Sequence, residues 1–167
     1  MAAALLCAAV AATGCGRPTA APARTSASFA DGGVFVTVTL ERSTAHTVAV
    51  TATLKPQQPG FHLYSLTLPD QGVAGLGIPT RLAVAPPLSP VGAVTASDRP
   101  YGLRLDGLDV TLPVYPDGPV TLHLTTRLAA TDDSAPARLR VTYGACSPAR
   151  CLAPVREHPV TLAVPQI

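Results

Sequence analysis

The feature that most restricts how this chain can fold is its punctuation. Eighteen prolines and 13 glycines are scattered through 167 residues. Few stretches run far without a residue that removes a backbone donor or accepts a left-handed turn. That spacing argues against long helices, since an interior proline costs a helix roughly 3 kcal/mol. Short strands fit between the breaks. Val34, Val36, Val38 and Leu40 alternate with Phe35, Thr37, Thr39 and Glu41, a period of two that turns one aliphatic face inward. Val48, Val50, Ala52 and Leu54 repeat the pattern, and the link 42–45 is short enough to make the two a hairpin.

Segments 61–66, 81–85, 91–95, 108–114, 120–128, 137–143 and 158–164 also read as strands. Pro116-Asp117-Gly118-Pro119 is predicted to join 108–114 to 120–128 as a pair, with 69–79 a Gly-rich loop and 98–102 a polar turn. Eight or nine short strands separated by turns make an all-β, immunoglobulin-like antiparallel β-sandwich the most economical architecture. Aromatic residues are only 4% and Trp is absent, so the core must be built from Val and Leu. Net charge is +2 and no basic run occurs, so no nucleic-acid partner is expected. No paired-carboxylate site, nucleophile elbow or phosphate-binding loop stands out.

Residues 2–13 are almost purely Ala, Leu and Val, the length of a signal-peptide core and too short to span a bilayer. The run ends in Ala12-Thr13-Gly14-Cys15, which resembles a bacterial lipobox. The expected organisation is a signal peptide with lipobox over 1–14, a flexible tether over 15–28, and a folded domain over 29–167. Cys15 would carry the lipid, and the domain would sit on the extracytoplasmic face of a bacterial membrane.

Cys146 and Cys151 lie in a Gly/Ser/Pro loop between the last two predicted strands. Three readings fit them. A structural bridge closing so short a loop contributes about 2 kcal/mol. A working dithiol needs one reachable thiolate and a second thiol close enough to resolve the mixed disulfide. A metal site would recruit His62 and His158 as further soft ligands, but the spacing matches no closed zinc pattern.

Three motifs then point to a family. Pro59-Gly60-Phe61-His62-Leu63-Tyr64, Asp98-Arg99-Pro100-Tyr101-Gly102 with Thr111-Leu112-Pro113 after it, and Val141-Thr142-Tyr143-Gly144-Ala145-Cys146 through Cys151 and Pro154 occur in this order. Together they resemble the periplasmic amino-terminal domain of DsbD-type thiol:disulfide interchange proteins, here as a stand-alone lipoprotein covering about 29–167. The resemblance implies an immunoglobulin-like sandwich with Cys146 and Cys151 as a redox-active pair, Cys151 bonding to partners and Cys146 resolving. It implies an active-site shell of His62, Tyr64, Asp98, Pro100 and Tyr101, in which the loop 98–102 covers the sulfurs. Arg150, next to Cys151, would favour its thiolate. This chain departs from the family in having four rather than five residues between the cysteines, Pro100 at the cap aromatic, Arg99 after the cap aspartate, and His62 for one tyrosine. Expected partners are thioredoxin-fold or membrane-embedded thiol-disulfide proteins, and the membrane through the lipid anchor. No metal or other cofactor is expected. The alternative is a non-catalytic sandwich lipoprotein that binds a protein partner and uses the bridge structurally.

Overall fold

The computed structural model describes residues 23–129 and 134–167. In chain order the strands are β1 (Ala23–Asp31), β2 (Val34–Thr44), β3 (Thr47–Pro56), β4 (His62–Leu63), β5 (Arg81–Ala85) and β6 (Leu88–Ala96). They continue as β7 (Tyr101–Arg104), β8 (Thr111–Val114), β9 (Val120–Leu128), β10 (Ala137–Tyr143), β11 (Ala145–Cys146) and β12 (Val155–Leu162). No helix occurs among the described residues. Five strands form one antiparallel sheet in the order β1-β2-β3-β9-β6, and three form a second in the order β12-β10-β5.

Alternation drives the two sheets together. Val36, Val38, Leu40, Val50, Leu54 and Leu122 from the larger sheet share one buried cluster with Leu82, Leu139, Val141, Val160 and Leu162 from the smaller. Each such side chain contributes roughly 1.5–3 kcal/mol on leaving water. The chain is therefore an all-β, immunoglobulin-like antiparallel β-sandwich with the aliphatic core its composition requires. Buried Arg42 closes one end, its guanidinium donating to the carbonyls of Ala45 (2.7 Å) and Pro165 (3.3 Å).

The folded unit starts earlier than the sequence implied. Residues 23–28, assigned to the tether, belong to β1, which pairs with β2 from Ala23↔Arg42 to Asp31↔Val34. Its inward face is Ala23, Thr25, Ala27 and Phe29, too small and mixed for the alternation to register as hydrophobic. The backbone ladder and a hydrogen bond from the Thr25 hydroxyl to the Ala163 carbonyl (2.7 Å) hold it instead. The signal peptide, the lipobox and Cys15 lie outside the described residues.

The turn at 116–119 does not pair its flanking strands as expected: β8 pairs with β7, whereas β9 pairs with β3 and β6. The chain crosses between layers here, pinned by buried Tyr115. The Tyr115 amide donates to the Leu63 carbonyl (2.9 Å), and its hydroxyl accepts from the Leu66 amide (3.1 Å). Residues 101–104, read partly as turn, form β7, and the expected strand 61–66 contracts to β4. The β7–β8 ladder joins β4 through a Tyr64↔Val114 bridge and a Ser65 amide to Pro113 carbonyl bond (2.9 Å). With β4 pairing to β11, a small sheet forms at one end of the sandwich. Its apolar side is a separate cluster of Tyr64, Leu68, Leu112, Val114 and Cys146.

A chain shortened to begin at Phe29 should lose the β1 edge and be less stable than one beginning at Ala23, by on the order of 1–2 kcal/mol. Urea unfolding of the two chains checks this. Coincident midpoints would return residues 23–28 to the role of tether.

Candidate functional site

Beyond Tyr143 the strand β10 continues through Gly144 into β11, then turns back at Ser147-Pro148-Ala149-Arg150. The Ser147 amide donates to the Arg150 carbonyl (2.8 Å) and the Leu152 amide to the Ala145 carbonyl (2.9 Å). The Ser147 hydroxyl accepts from the amides of Ala149 and Arg150, each at 3.3 Å, and so caps the turn. Between those two backbone bonds Cys146 and Cys151 oppose each other directly. This is the non-hydrogen-bonded position, where antiparallel Cα atoms approach to about 4.5 Å. Here they are 4.0 Å apart and the sulfurs are bonded. The protein is thus a disulfide-bearing sandwich module, and the hairpin itself brings the pair together.

The two sulfurs sit in unlike surroundings. Cys146 is 5% exposed, while Cys151 is exposed on the outer strand of the hairpin. The Tyr64 hydroxyl lies 3.0 Å from Cys146 Sγ and 3.9 Å from Cys151 Sγ. A disulfide sulfur carries no proton, so the phenol is the donor. Burial pushes the Tyr64 phenol above its ordinary pKa and keeps it protonated. Two glycines let the ring lie there. A Cβ on Gly77, whose φ is +85°, would fall 3.0 Å from Tyr64 Cε1, and one on Gly144 would fall 3.3 Å from Cδ2.

His62 pairs directly across from Cys146. It is buried, with Nδ1 3.7 Å from Asp117 Oδ1 and its Nε2 without a hydrogen-bond partner among the described residues. Its ring meets Tyr64 edge-on, centroids 6.1 Å apart. Burial draws the imidazole pKa below its ordinary value, and the Asp117 charge opposes this more weakly. His62 is therefore neutral at pH 7.

The remaining expected shell is only partly assembled. Arg150 donates to Gln58 Oε1 (2.7 Å), and its guanidinium stands over the Phe61 ring at 5.8 Å. No hydrogen bond or ion pair runs from it to either sulfur of the bonded pair. Asp98 ends the β6 side of the chain, accepting from the Ser97 hydroxyl (2.6 Å). Tyr101 is 46% exposed and opposes Val114, one strand beyond Tyr64 in the small sheet. A hollow of about 170 Å³ beside the disulfide is lined by both cysteines, Tyr64, Gly77, Ile78, Gly144, Ala145, Leu152 and Pro154. Of the expected shell only Tyr64 lines it; His62, Asp98, Pro100, Tyr101 and Arg150 do not. The wall opposite the hairpin comes from Gly77 and Ile78 in the 69–79 segment, which the sequence presents merely as a loop. Leu103, rather than Tyr101, packs onto the cluster holding Cys146.

Ser147 and Asp117 also belong to the site's surroundings, beyond the residues expected there. A serine opening a Pro-Ala turn is a legible cap signal; nothing local marks Asp117 as the neighbour of His62. His158 stacks on Phe29 (centroids 3.7 Å) and contacts Asp31 Oδ2 at 3.1 Å through Nδ1. The structure thus does not gather the four candidate metal ligands, and among the described residues no group of three His, Cys, Asp or Glu side chains is placed to hold a metal.

No protein-family model and no curated protein matches the chain. Among solved structures, the GAE domain of GGA2p from Saccharomyces cerevisiae superposes with a TM-score of 0.43 at 10% identity, covering 87% of this chain and all of that one. The yeast GGA1 GAE domain gives 0.39 at 11% identity, covering 82% of this chain and 97% of that one.

An unfolded histidine titrates near pH 6.5, and folded His62 titrates lower. Acidification through about 6.5 therefore protonates the unfolded chain first, so the His62 contribution lowers stability below that pH and is absent above it. His62→Phe should flatten the stability profile between about pH 5 and about pH 7, measured by urea unfolding. An unchanged slope would show that His62 takes up its proton as easily folded as unfolded.

Proposed function

We propose that this domain exchanges thiols and disulfides, passing reducing equivalents through Cys146 and Cys151 on the extracytoplasmic face of a bacterial membrane, to which Cys15 anchors it. The observation that carries this reading is the pairing of an exposed Cys151 with a buried Cys146 whose sulfur accepts a hydrogen bond from Tyr64. The motifs resembling the DsbD amino-terminal domain support it, and so do the recruited residues Tyr64 and His62.

The steps follow from the asymmetry. A donor thiolate attacks Cys151 Sγ, the reachable sulfur. The Cys146–Cys151 bond breaks and its electron pair leaves on Cys146 Sγ, where the Tyr64 hydroxyl stabilises the thiolate. The donor's second thiolate then attacks its own sulfur in the mixed disulfide and expels Cys151 as thiolate. The donor is oxidised to a disulfide; the module gains two electrons and, from water, the protons its thiolates take up. Reduction of a client reverses the roles: Cys151 attacks a client sulfur, and Cys146 attacks Cys151 Sγ to release the reduced client. Donor and client are protein dithiols and disulfides of the thioredoxin-fold or membrane-embedded kind.

A purely structural bridge is the competing reading. It is weakened because two backbone bonds already close the hairpin around the cysteines.

Cys146→Ser in the mature domain should accumulate a mixed disulfide between Cys151 and an oxidised thioredoxin-fold protein, seen as a covalent adduct that dithiothreitol releases. Absence of the adduct, with a native bridge that resists a glutathione-strength reductant, would sink the proposal. Tyr64→Phe should slow reduction of the bridge roughly tenfold, the effect of removing one hydrogen bond to a developing charge. Stopped-flow kinetics with a small dithiol measure it.

A further inference from the structure

The outer face of the β12-β10-β5 sheet carries a feature that the disulfide does not use. Its central strand turns Arg138, Arg140 and Thr142 outward. Each arginine stands between small neighbours: Arg138 between Ala85 and Thr161, Arg140 between Ala83 and Pro159. With no bulky side chain alongside, the face opens into two adjoining hollows of about 540 and 480 Å³ that share Ala83, Arg140 and Glu157. Arg81 and Arg156 line the first, Arg138 the second. Four arginines thus meet two carboxylates, Asp70 and Glu157, a surplus of two positive charges.

The arginines divide into fixed and free. Arg81 is spent on structure, bonded to Asp70 Oδ1 (2.6 and 3.0 Å) and to the carbonyls of Leu66, Leu68 and Thr80. Among the described residues Arg140 has one polar partner, Glu157 Oε2 at 3.3 Å. Arg138 and Arg156 make no hydrogen bond or ion pair among the described residues. Guanidinium groups left open over a floor of alanine are placed to take carboxylates in bidentate fashion.

We infer that this groove docks an extended acidic segment of a protein partner. Arg138 and Arg140 are two residues apart on one strand, about 7 Å. That is the spacing of alternate side chains in an extended peptide, so acidic residues at every second position would meet them in register. The run from Arg138 to Thr142 accommodates an extended peptide of about four to five residues, two or three of them acidic. Chain neighbours connect the groove with the disulfide: Pro79 and Thr142 line the first hollow, and Ile78 and Gly144, one and two residues away, line the hollow beside Cys151. A segment held here would keep the rest of its protein beside the exposed sulfur. That last link rests on the thiol-exchange reading; the docking itself does not.

Fluorescence anisotropy of a labelled peptide of alternating Glu and Thr, against the same peptide with Gln for Glu, tests the groove on the intact protein. The Glu peptide should bind at low salt, weaken as salt screens the charges, and lose roughly tenfold in affinity to Arg140→Glu/Arg156→Glu. Should that variant melt early, Arg138→Gln/Arg156→Gln must show the same direction of change. Equal binding of the Glu and Gln peptides, undiminished binding by both variants, or binding only to phosphatidylglycerol vesicles would overturn the inference. Adding an activated-disulfide cysteine to each peptide separates the two proposals. Faster exchange of the Glu form with the reduced domain, abolished by the variants while a small disulfide reagent reacts unchanged, supports both. Binding without exchange at Cys151 would leave the docking groove standing and remove the thiol-exchange reading.

Discussion

One strand's alternation supports most of what this molecule contains. Leu139 and Val141 on β10 are buried against the larger sheet, and that burial fixes which way every other side chain of the strand must point. Arg138 and Arg140 are forced outward, and Tyr143 inward, where its hydroxyl donates to the Asp31 carbonyl at 3.0 Å. Burial, reinforced by the nearby Asp31 charge, raises the Tyr143 pKa and keeps that donor protonated. Past Gly144 the same strand supplies Cys146. A one-residue slip of β10 would turn its arginines into the core and lose both the sandwich and the position of the disulfide.

The disulfide end is best seen as a second, small core grafted on the first. Tyr64, Leu68, Leu112, Val114 and Cys146 enclose one another apart from the main cluster, so the sulfur is shielded by residues that do not support the sandwich. That separation has a physical use. Cys146 can be buried against a phenol while Cys151, five residues on and across a two-residue turn, stays in solvent. Backbone hydrogen bonds from Ser147 to Arg150 and from Leu152 to Ala145 brace the turn on either side of the bonded pair.

Much of the sandwich was legible from residues alone because it rests on large aliphatic side chains at period two. β2, β3, β9 and β10 all carry that mark. β1 did not, since alanine and threonine on its inward face give no hydrophobic contrast, and an edge strand is held by its ladder more than by its side chains. The turn at 116–119 misled for a different reason. Pro-Asp-Gly-Pro identifies a reversal but not the destination of the strands on either side, and Tyr115 diverts the chain between layers.

The sequence by itself determined the all-β class, the aliphatic core and the short loop that holds both cysteines. These depend on local pattern. Only the tertiary structure decided that Cys151 and not Cys146 faces solvent, that Arg150 turns to Gln58 and Phe61, and that Gly77 and Ile78 rather than 98–102 wall the sulfurs. It alone gathered arginines from three strands onto one face, in a chain with no basic run. Such facts are set by which strands lie side by side and by the room their neighbours leave, and no local stretch of residues carries that information.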